Sequence, residues 1–334
     1  MVGRRRYGPA PVHPRRSEVT YDAAVVGAGP AGLSAATWLA RYRRSTIVVD
    51  SEEYRNRRVD QSPGFLGSDP ADPMSLLRRA RRDLDRYPTV RVVRGRASTV
   101  GRDRSGAFLL TVDGEERRAL RLVLATGVVD QFPDVDRFFD HYGADVFHCP
   151  TCDGYEAAGR RIVVFGWSED IAGFALSMLE WAASITVVTD GRTFEGEDRH
   201  RQALIDNGVH LVEDDAVALV GRRGALESVR LRGGTLVEAE LAFFSIAHHP
   251  RLDLAEQLGC EITDDGCLVV DDDGQTSVAG VYAAGDITPG FQLAAVAAGK
   301  GAVAGVACAS SLKGALGAAG SPSPGPDPEA ELSR

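Results

Sequence analysis

The chain has 334 residues, 44% of them hydrophobic and 25% charged, with a formal net charge of −9. That length leaves room for two domains with real cores, and the acidic balance argues against bulk nucleic-acid binding. No apolar run reaches spanning length, and the basic start (Arg4, Arg5, Arg6, Arg15, Arg16) leads into no apolar stretch, so neither a membrane helix nor a secretory signal is expected and a cytoplasmic location is.

Residues 1–20 read as a disordered basic tail, and residues 314–334, rich in Gly, Ala, Ser and Pro, as a disordered end. Between them strands and helices alternate, which predicts parallel sheets with helices on their faces. An apolar strand, a tight turn and a helix occur at Ala23 and again at Ile162, so the expected fold is α/β with two Rossmann-like dinucleotide-binding units. In the first unit Asp22–Val26 is the strand, Gly27-Ala28-Gly29-Pro30-Ala31-Gly32 the turn, and a helix follows to about Arg41. Gly27 allows the turn, Gly29 lets backbone approach a pyrophosphate, and Gly32 lets helix and strand pack closely. The helix start then offers free N–H groups to the phosphates. The next strand, Thr46–Val49, ends in Asp50, placed to accept from ribose hydroxyls.

Farther along, Leu122-Val123-Leu124-Ala125-Thr126-Gly127 is a strand and turn, and Phe147-His148-Cys149-Pro150-Thr151-Cys152-Asp153-Gly154-Tyr155 carries a vicinal dithiol. Such a pair beside a flavin is a two-electron relay. The chain has five cysteines, too few at this length for a disulfide-stapled secreted framework. No second CxxC or nearby His pair accompanies Cys149 and Cys152, so no metal site is expected. Cys260, Cys267 and Cys308 lie in apolar or strand-like contexts and are expected to be buried structural thiols.

The second unit has lost its glycines. Aligning Val163-Val164 on Val25-Val26 puts Phe165, Trp167 and Asp170 on the three glycine positions, and a shift by one restores only Gly166. Either way a side chain stands where backbone should meet pyrophosphate. Glu169 and Asp170 add negative charge at a helix start meant for a dianion. The strand Ile185–Thr189 ends in Asp190, where an NADPH site would want Arg for the 2′-phosphate; Arg192 is close but displaced. Two readings stand: a fold kept without its ligand, or a divergent NAD(P)H site. The last strand, Gly280-Val281-Tyr282-Ala283-Ala284, closes on Gly285-Asp286.

Together these segments resemble the low-molecular-weight thioredoxin reductase family over about residues 21–313. Gly280–Asp286 resembles the second FAD motif of flavoproteins with two dinucleotide-binding domains, in which the Asp meets the ribityl chain or a phosphate. Leu122–Gly127 resembles their Ala-Thr-Gly strand, and Ala247-His248-His249-Pro250 their link back to the FAD domain. Phe291-Gln292-Leu293 resembles an Arg-Gln-Ala segment at the flavin, with the Arg absent. The resemblance implies an FAD domain in two halves, 21–130 and 249–313, with an inserted nucleotide-binding-like domain, 131–248, that carries the CxxC. It implies FAD as cofactor, a homodimer, and FAD contacts from Gly27, Gly29, Pro30, Ala31, Gly32, Asp50, Asn56, Ala125, Thr126, Gly127, Gly285, Asp286, Gln292 and Leu293. Phe147-His148-Cys149, Gly154-Tyr155-Glu156, Tyr54-Arg55-Asn56 and Gly64-Phe65-Leu66 are similar to one branch, the FAD-dependent dithiol oxidases that close disulfides in small natural products. That branch usually has His after the second Cys, whereas Asp153 stands there, as in the reductases. Thioredoxin reductase-like flavoenzymes that lack a working NADPH motif and use other electron donors are also similar.

By resemblance, Cys152 faces the flavin and Cys149 the substrate. Asp153 can move a proton on or off a thiol, and His148 is either a base toward Cys149 or a packing residue. The function implied is an FAD-dependent thiol–disulfide oxidoreductase not dependent on NADPH, in the first instance a dithiol oxidase. Its partners would be a small-molecule dithiol or disulfide, or a thioredoxin-like protein, with O2 or another electron acceptor. The alternatives are an NAD(P)H-dependent thioredoxin reductase with a divergent site, and a non-catalytic flavin redox sensor, against which the CxxC with Asp153 argues.

Overall fold

The computed structural model describes residues 19–313; most of the two expected tails lies outside them, and Thr20, placed in the first tail, opens a strand instead. The first lobe begins with β1 (Thr20–Val26), α1 (Pro30–Arg41), β2 (Thr46–Asp50), α2 (Pro73–Leu84) and β3 (Val90–Arg94), then folds back through β4 (Ala97–Arg102), β5 (Phe108–Val112) and β6 (Glu115–Leu124). β1 runs parallel between β2 and β6, and every residue of β2 is buried. A near-continuous apolar run is what a strand covered on both faces requires. Pro30 sits at the first helical position of α1, where its missing N–H costs nothing.

The chain leaves this lobe along β7 (Val128–Gln131). It continues through α3 (Phe138–His141), β8 (Val146–Phe147), α4 (Pro150–Asp153), β9 (Arg161–Phe165), α5 (Asp170–Met178), β10 (Ser184–Val188), α6 (Asp198–Asp206) and β11 (His210–Val212). An antiparallel trio, β12 (Ala216–Arg222), β13 (Ala225–Leu231) and β14 (Leu236–Glu238), precedes β15 (Leu241–Phe244). β11, β10, β9, β15 and β8 form a second, parallel sheet in that order. β16 (Ala247–Pro250) returns antiparallel to β7. The chain then adds α7 (Asp253–Gln257), β17 (Val281–Ala283), parallel to β6 in the first sheet, and α8 (Ala294–Ser311).

α8 corrects one expectation. Among the described residues it is a helix long and apolar enough to cross a membrane by length and composition, with mean hydropathy 1.3. Alanine and valine make it apolar, and its alanines and glycines let it lie close along α1. A Cβ at Gly301 or Gly305 would collide with the backbone of Ala31 or Ala35.

The two lobes repeat one register. Val26 pairs with Val49 and Leu124, and Phe165 with Val188 and Phe244. Gly27 N donates to Val49 O (2.8 Å) and Gly166 N to Val188 O (3.2 Å); Ala125 N donates to Val26 O (2.8 Å) and Ser245 N to Phe165 O (2.9 Å). Gly166 therefore corresponds to Gly27, Ser168 to Gly29 and Ile171 to Gly32. The alignment that put Phe165, Trp167 and Asp170 on the glycine positions is displaced by one. Phe165 is the last residue of its strand, fully buried among Val146, Val188 and Phe244. The same register sets Thr189, not Asp190, opposite Asp50.

Candidate active site

The first turn is built by its glycines in three different ways. Gly27 has φ +103°, and a Cβ there would collide with Ala125 O. A Cβ at Gly32 would collide with Gly27 O, so α1 can seat on the turn only with glycine at that place. At Gly29 an added Cβ would meet nothing within 4 Å: its missing side chain faces open space, not protein. α1 starts there with no side-chain cap on its free N–H groups. A backbone cradle with uncapped donors fits the pyrophosphate of FAD.

One cleft gathers nearly all the sequence-predicted residues. Its wall includes Gly27, Gly29, Pro30 and Ala31 of the turn, Asp50 and Asn56, then Ala125, Thr126 and Gly127. Gly285, Asp286 and Gln292 join them, and so do His148, Cys149, Cys152 and Asp153 from the second lobe. Two predicted residues stand behind the wall: Gly32 supports the turn, and Leu293 is the N-cap of α8.

Asp50 is buried; its carboxylate accepts from Tyr54 Oη (2.9 and 2.7 Å) and Glu52 N (2.9 Å), and is paired with Arg81. Burial pushes its pKa up. Asp286 is held from across the cleft. Arg55 Nη1 donates to Asp286 Oδ2 (3.0 Å) and to Gln292 Oε1 (2.6 Å), while Nε and Nη2 lie on Asp130. Asp130, Arg81 and Tyr142 were not singled out by sequence, and Arg55 only as part of a resembling tripeptide. Arg55 and Asp130 act through partners at least 75 residues away, and Arg81 through Asp50 and Tyr54.

Cys149 is the N-cap of α4 and is joined to Cys152 by a disulfide; Cys149 Sγ also accepts from Cys152 N (3.1 Å). Pro150 at the first helical position fixes the turn between them. Asp153 is buried beside the pair, and burial, with the charge of Glu156 second, pushes its pKa up to about 7. It can therefore hold or release a proton near neutrality. His148 is pushed the other way, to about 4, by burial first and by the charge of Arg55 second, against Asp130. Its ring packs near Tyr142 and Phe244, and Nδ1 lies 3.3 Å from Tyr142 Oη. It is neutral at physiological pH, whereas Asp153 is the group beside the cysteine pair held near neutrality.

The corresponding place in the second lobe is filled. Ile171 side-chain atoms crowd Gly166 so closely that a Cβ there would collide with them. Ser168 puts a side chain where Gly29 has none. Trp167 is covered by Arg192, whose Cζ lies 4.1 Å from the ring centroid, so that arginine is stacked on protein. Arg161 starts β9, at the far end of the strand from the turn, and pairs with Glu238 (2.5 Å) and Glu240 (3.3 Å).

Elsewhere Cys260 and Cys308 are buried as expected; Cys267 is only half-buried, on a turn rather than in a strand. Burial pushes the Cys308 thiol up to about 12. Among the described residues no group of three or more His, Cys, Asp or Glu could hold a metal ion.

Comparison with known proteins matches residues 21–301 to the pyridine nucleotide-disulphide oxidoreductases. The thioredoxin reductase sirT of Leptosphaeria maculans is 30% identical over 287 residues, covering 80% of this chain and 86% of that protein. A ferredoxin–NADP reductase of Ignicoccus hospitalis is 30% identical over 303 residues, 85% of this chain and 95% of that protein. Among solved structures, that of HlmI superposes with a TM-score of 0.84 at 32% identity, covering 91% of this chain and 98% of that one.

Proposed function

This chain belongs to the pyridine nucleotide-disulphide oxidoreductase family and is a thioredoxin reductase-like disulfide oxidoreductase, and on that premise we propose that it is an FAD-dependent dithiol oxidase that does not draw on NADPH. The observation that carries this reading is the contrast between the two turns. The first keeps Gly27 and Gly32 tight against backbone so that Gly29 faces open space, whereas the second has Ile171 at the third glycine position and Trp167 under Arg192.

A substrate thiolate attacks Cys149 Sγ, forms a mixed disulfide and expels Cys152 as thiolate. The second substrate thiol loses its proton and attacks the substrate sulfur of that bond, releasing Cys149. The substrate leaves as a disulfide, and its two electrons stay on the cysteine pair. Asp153, near its midpoint at neutral pH, takes up one of the two protons and passes it to solvent. Gly27, Gly29, Ala125 to Gly127, Gly285 and Asp286 would hold FAD beside that pair. Bound FAD supplies a two-electron carrier between the dithiol and the final acceptor, O2 or another oxidant. The protein's part is to hold and shield the sulfurs and to carry protons away from them.

The second reading, an NAD(P)H-dependent thioredoxin reductase, is favoured by Gly166, which keeps the first glycine position. Anaerobic rapid mixing separates the two. A small dithiol should bleach the flavin faster than NADPH does; bleaching by NADPH within milliseconds at micromolar concentration restores the reductase.

A further inference from the structure

The chain crosses between the lobes twice, and the crossings pair with each other. β7 and β16 form an antiparallel ladder from Val128↔Pro250 to Gln131↔Ala247. α3, β8 and α4, with the disulfide, follow β7 directly. The placement of Cys149 and Cys152 against the first-lobe cleft is therefore set through this ladder.

First-lobe side chains grip both of its strands. Arg55, in the loop after β2, places Nε and Nη2 on the two oxygens of Asp130 of β7, at 2.5 to 3.1 Å. Its Nη1 donates to Asp286 Oδ2 at 3.0 Å and to Gln292 Oε1 at 2.6 Å. Gln292 Nε2 then lies 2.8 Å from His248 Nε2 on β16. The Arg55 side chain is 17% exposed and that of Asp130 5%. A planar fork that serves two acceptor groups at once is arginine chemistry, which a lysine point charge does not reproduce. Phe291 stands where the resemblance expects an arginine, so the cation beside Gln292 comes here from a different segment of chain.

The geometry points to Arg55 as the positioning residue that fixes the disulfide-bearing lobe over the cofactor cleft. It acts on β7 through Asp130 and on β16 through Gln292 and His248. The inference rests on the Cys149–Cys152 pair exchanging electrons with bound FAD, as in the reading above, but not on the donor or the direction of flow.

The test uses the full-length, FAD-loaded protein with Arg55→Met, Arg55→Lys and Gln292→Leu. The first readout is amide hydrogen exchange of β7 and β16 against β1 and β9. In all three variants the ladder amides should exchange at least about tenfold faster, with β1 and β9 unchanged. The second readout is flavin bleaching by dithiothreitol across concentration. The limiting rate should fall at least about tenfold while the half-saturating concentration moves less than about twofold, the signature of an interaction that acts on the transfer step rather than on binding. Arg55→Lys should rescue neither. Wild-type ladder protection in the variants overturns the inference, and so does an unchanged limiting rate. If the Arg55 variants lose FAD or fail to fold, Gln292→Leu decides by the same readouts, because it cuts the link to β16 and strands no buried charge. Should wild-type flavin respond to NADPH and not to the dithiol, the oxidase reading fails. The Arg55 comparison then runs with NADPH as donor, reading the appearance of two titratable thiols.

Discussion

Ile171 stands in the second lobe where Gly32 stands in the first, as the shared registers of Val26 with Val49 and of Phe165 with Val188 require. Gly32 lets its helix sit against the turn; Ile171 instead puts a buried side chain hard against Gly166 at the start of α5. Glu169 and Asp170 then oppose a phosphate dianion. Losing two charge-assisted contacts of about 1.5–3 kcal/mol each weakens binding at least about a hundredfold. NADPH is therefore expected to bind no tighter than about 100 μM, against the micromolar affinity of an intact site. Titration calorimetry on the oxidised protein checks this, and micromolar binding would contradict it.

Gly29→Ala and Gly32→Ala should behave oppositely. A Cβ at Gly29 touches no protein atom, and its φ of −73° is ordinary, so unfolding of the FAD-free protein should shift by less than about 0.5 kcal/mol. FAD affinity should nevertheless drop at least about tenfold. Gly32→Ala drives a methyl into Gly27 O and should cost several kcal/mol of stability before any cofactor is added. Thermal melts of both apoproteins, followed by FAD titration, distinguish a cofactor contact from a packing contact.

Cys149→Ser and Cys152→Ser should each abolish dithiol oxidation while leaving FAD bound, since neither sulfur takes part in the glycine cradle. Only loss of Cys152 should remove the long-wavelength absorbance of a thiolate beside oxidised flavin. If that band survives without Cys152 and disappears without Cys149, the two sulfurs have the opposite assignment.

Asp153 gives a pH dependence of known sign. Its folded-state pKa, about 7, lies above the ordinary carboxyl value of 3.8, so between those values the folded protein holds a proton that the unfolded chain has released. The stability this group contributes is complete below about pH 4 and is lost as pH rises through 7. Asp153→Asn should flatten that slope in urea melts between pH 5 and 8 and remove an inflection near 7 from the exchange rate. His148 acts in reverse: held near 4, it contributes stability above its ordinary 6.5 that fades as pH falls toward 4. An unchanged slope in Asp153→Asn would show that another group titrates there.

The parts of the site legible in the sequence were those whose chemistry is local. Gly27 to Gly32, Asp50 and the Cys149–Cys152 spacing each carry their reason within a few residues. The second turn was read with two registers one residue apart, because an apolar strand ending Val163-Val164-Phe165-Gly166 gives no sign of where pairing stops; the hydrogen bond from Gly166 N to Val188 O fixes the shifted one, which keeps Gly166. Arg55 was invisible as a hub because its partners lie 75, 231 and 237 residues away. The buried state of Asp153, which makes it useful at neutral pH, comes from tertiary packing that a Cys-Asp-Gly tripeptide does not announce. α8 was missed in another way: small residues chosen for close packing against α1, with three valines among them, make an 18-residue apolar helix that does not stand out as a run of large apolar residues.

The pairing of β7 with β16 also makes the second lobe a cassette. Gln131 and Ala247 are antiparallel partners, so the ends of residues 132–246 lie side by side. Every strand of the first sheet falls outside that segment. Antiparallel neighbours can be closed by a two-residue turn, and insertion at such a place disturbs a host fold little. A shortened chain with Asn-Gly joining Gln131 to Ala247 should therefore keep the first lobe intact, as a miniature flavin carrier stripped of its sulfur chemistry. By the same logic a foreign domain with adjacent termini could be spliced into that joint, giving the flavin a different redox partner.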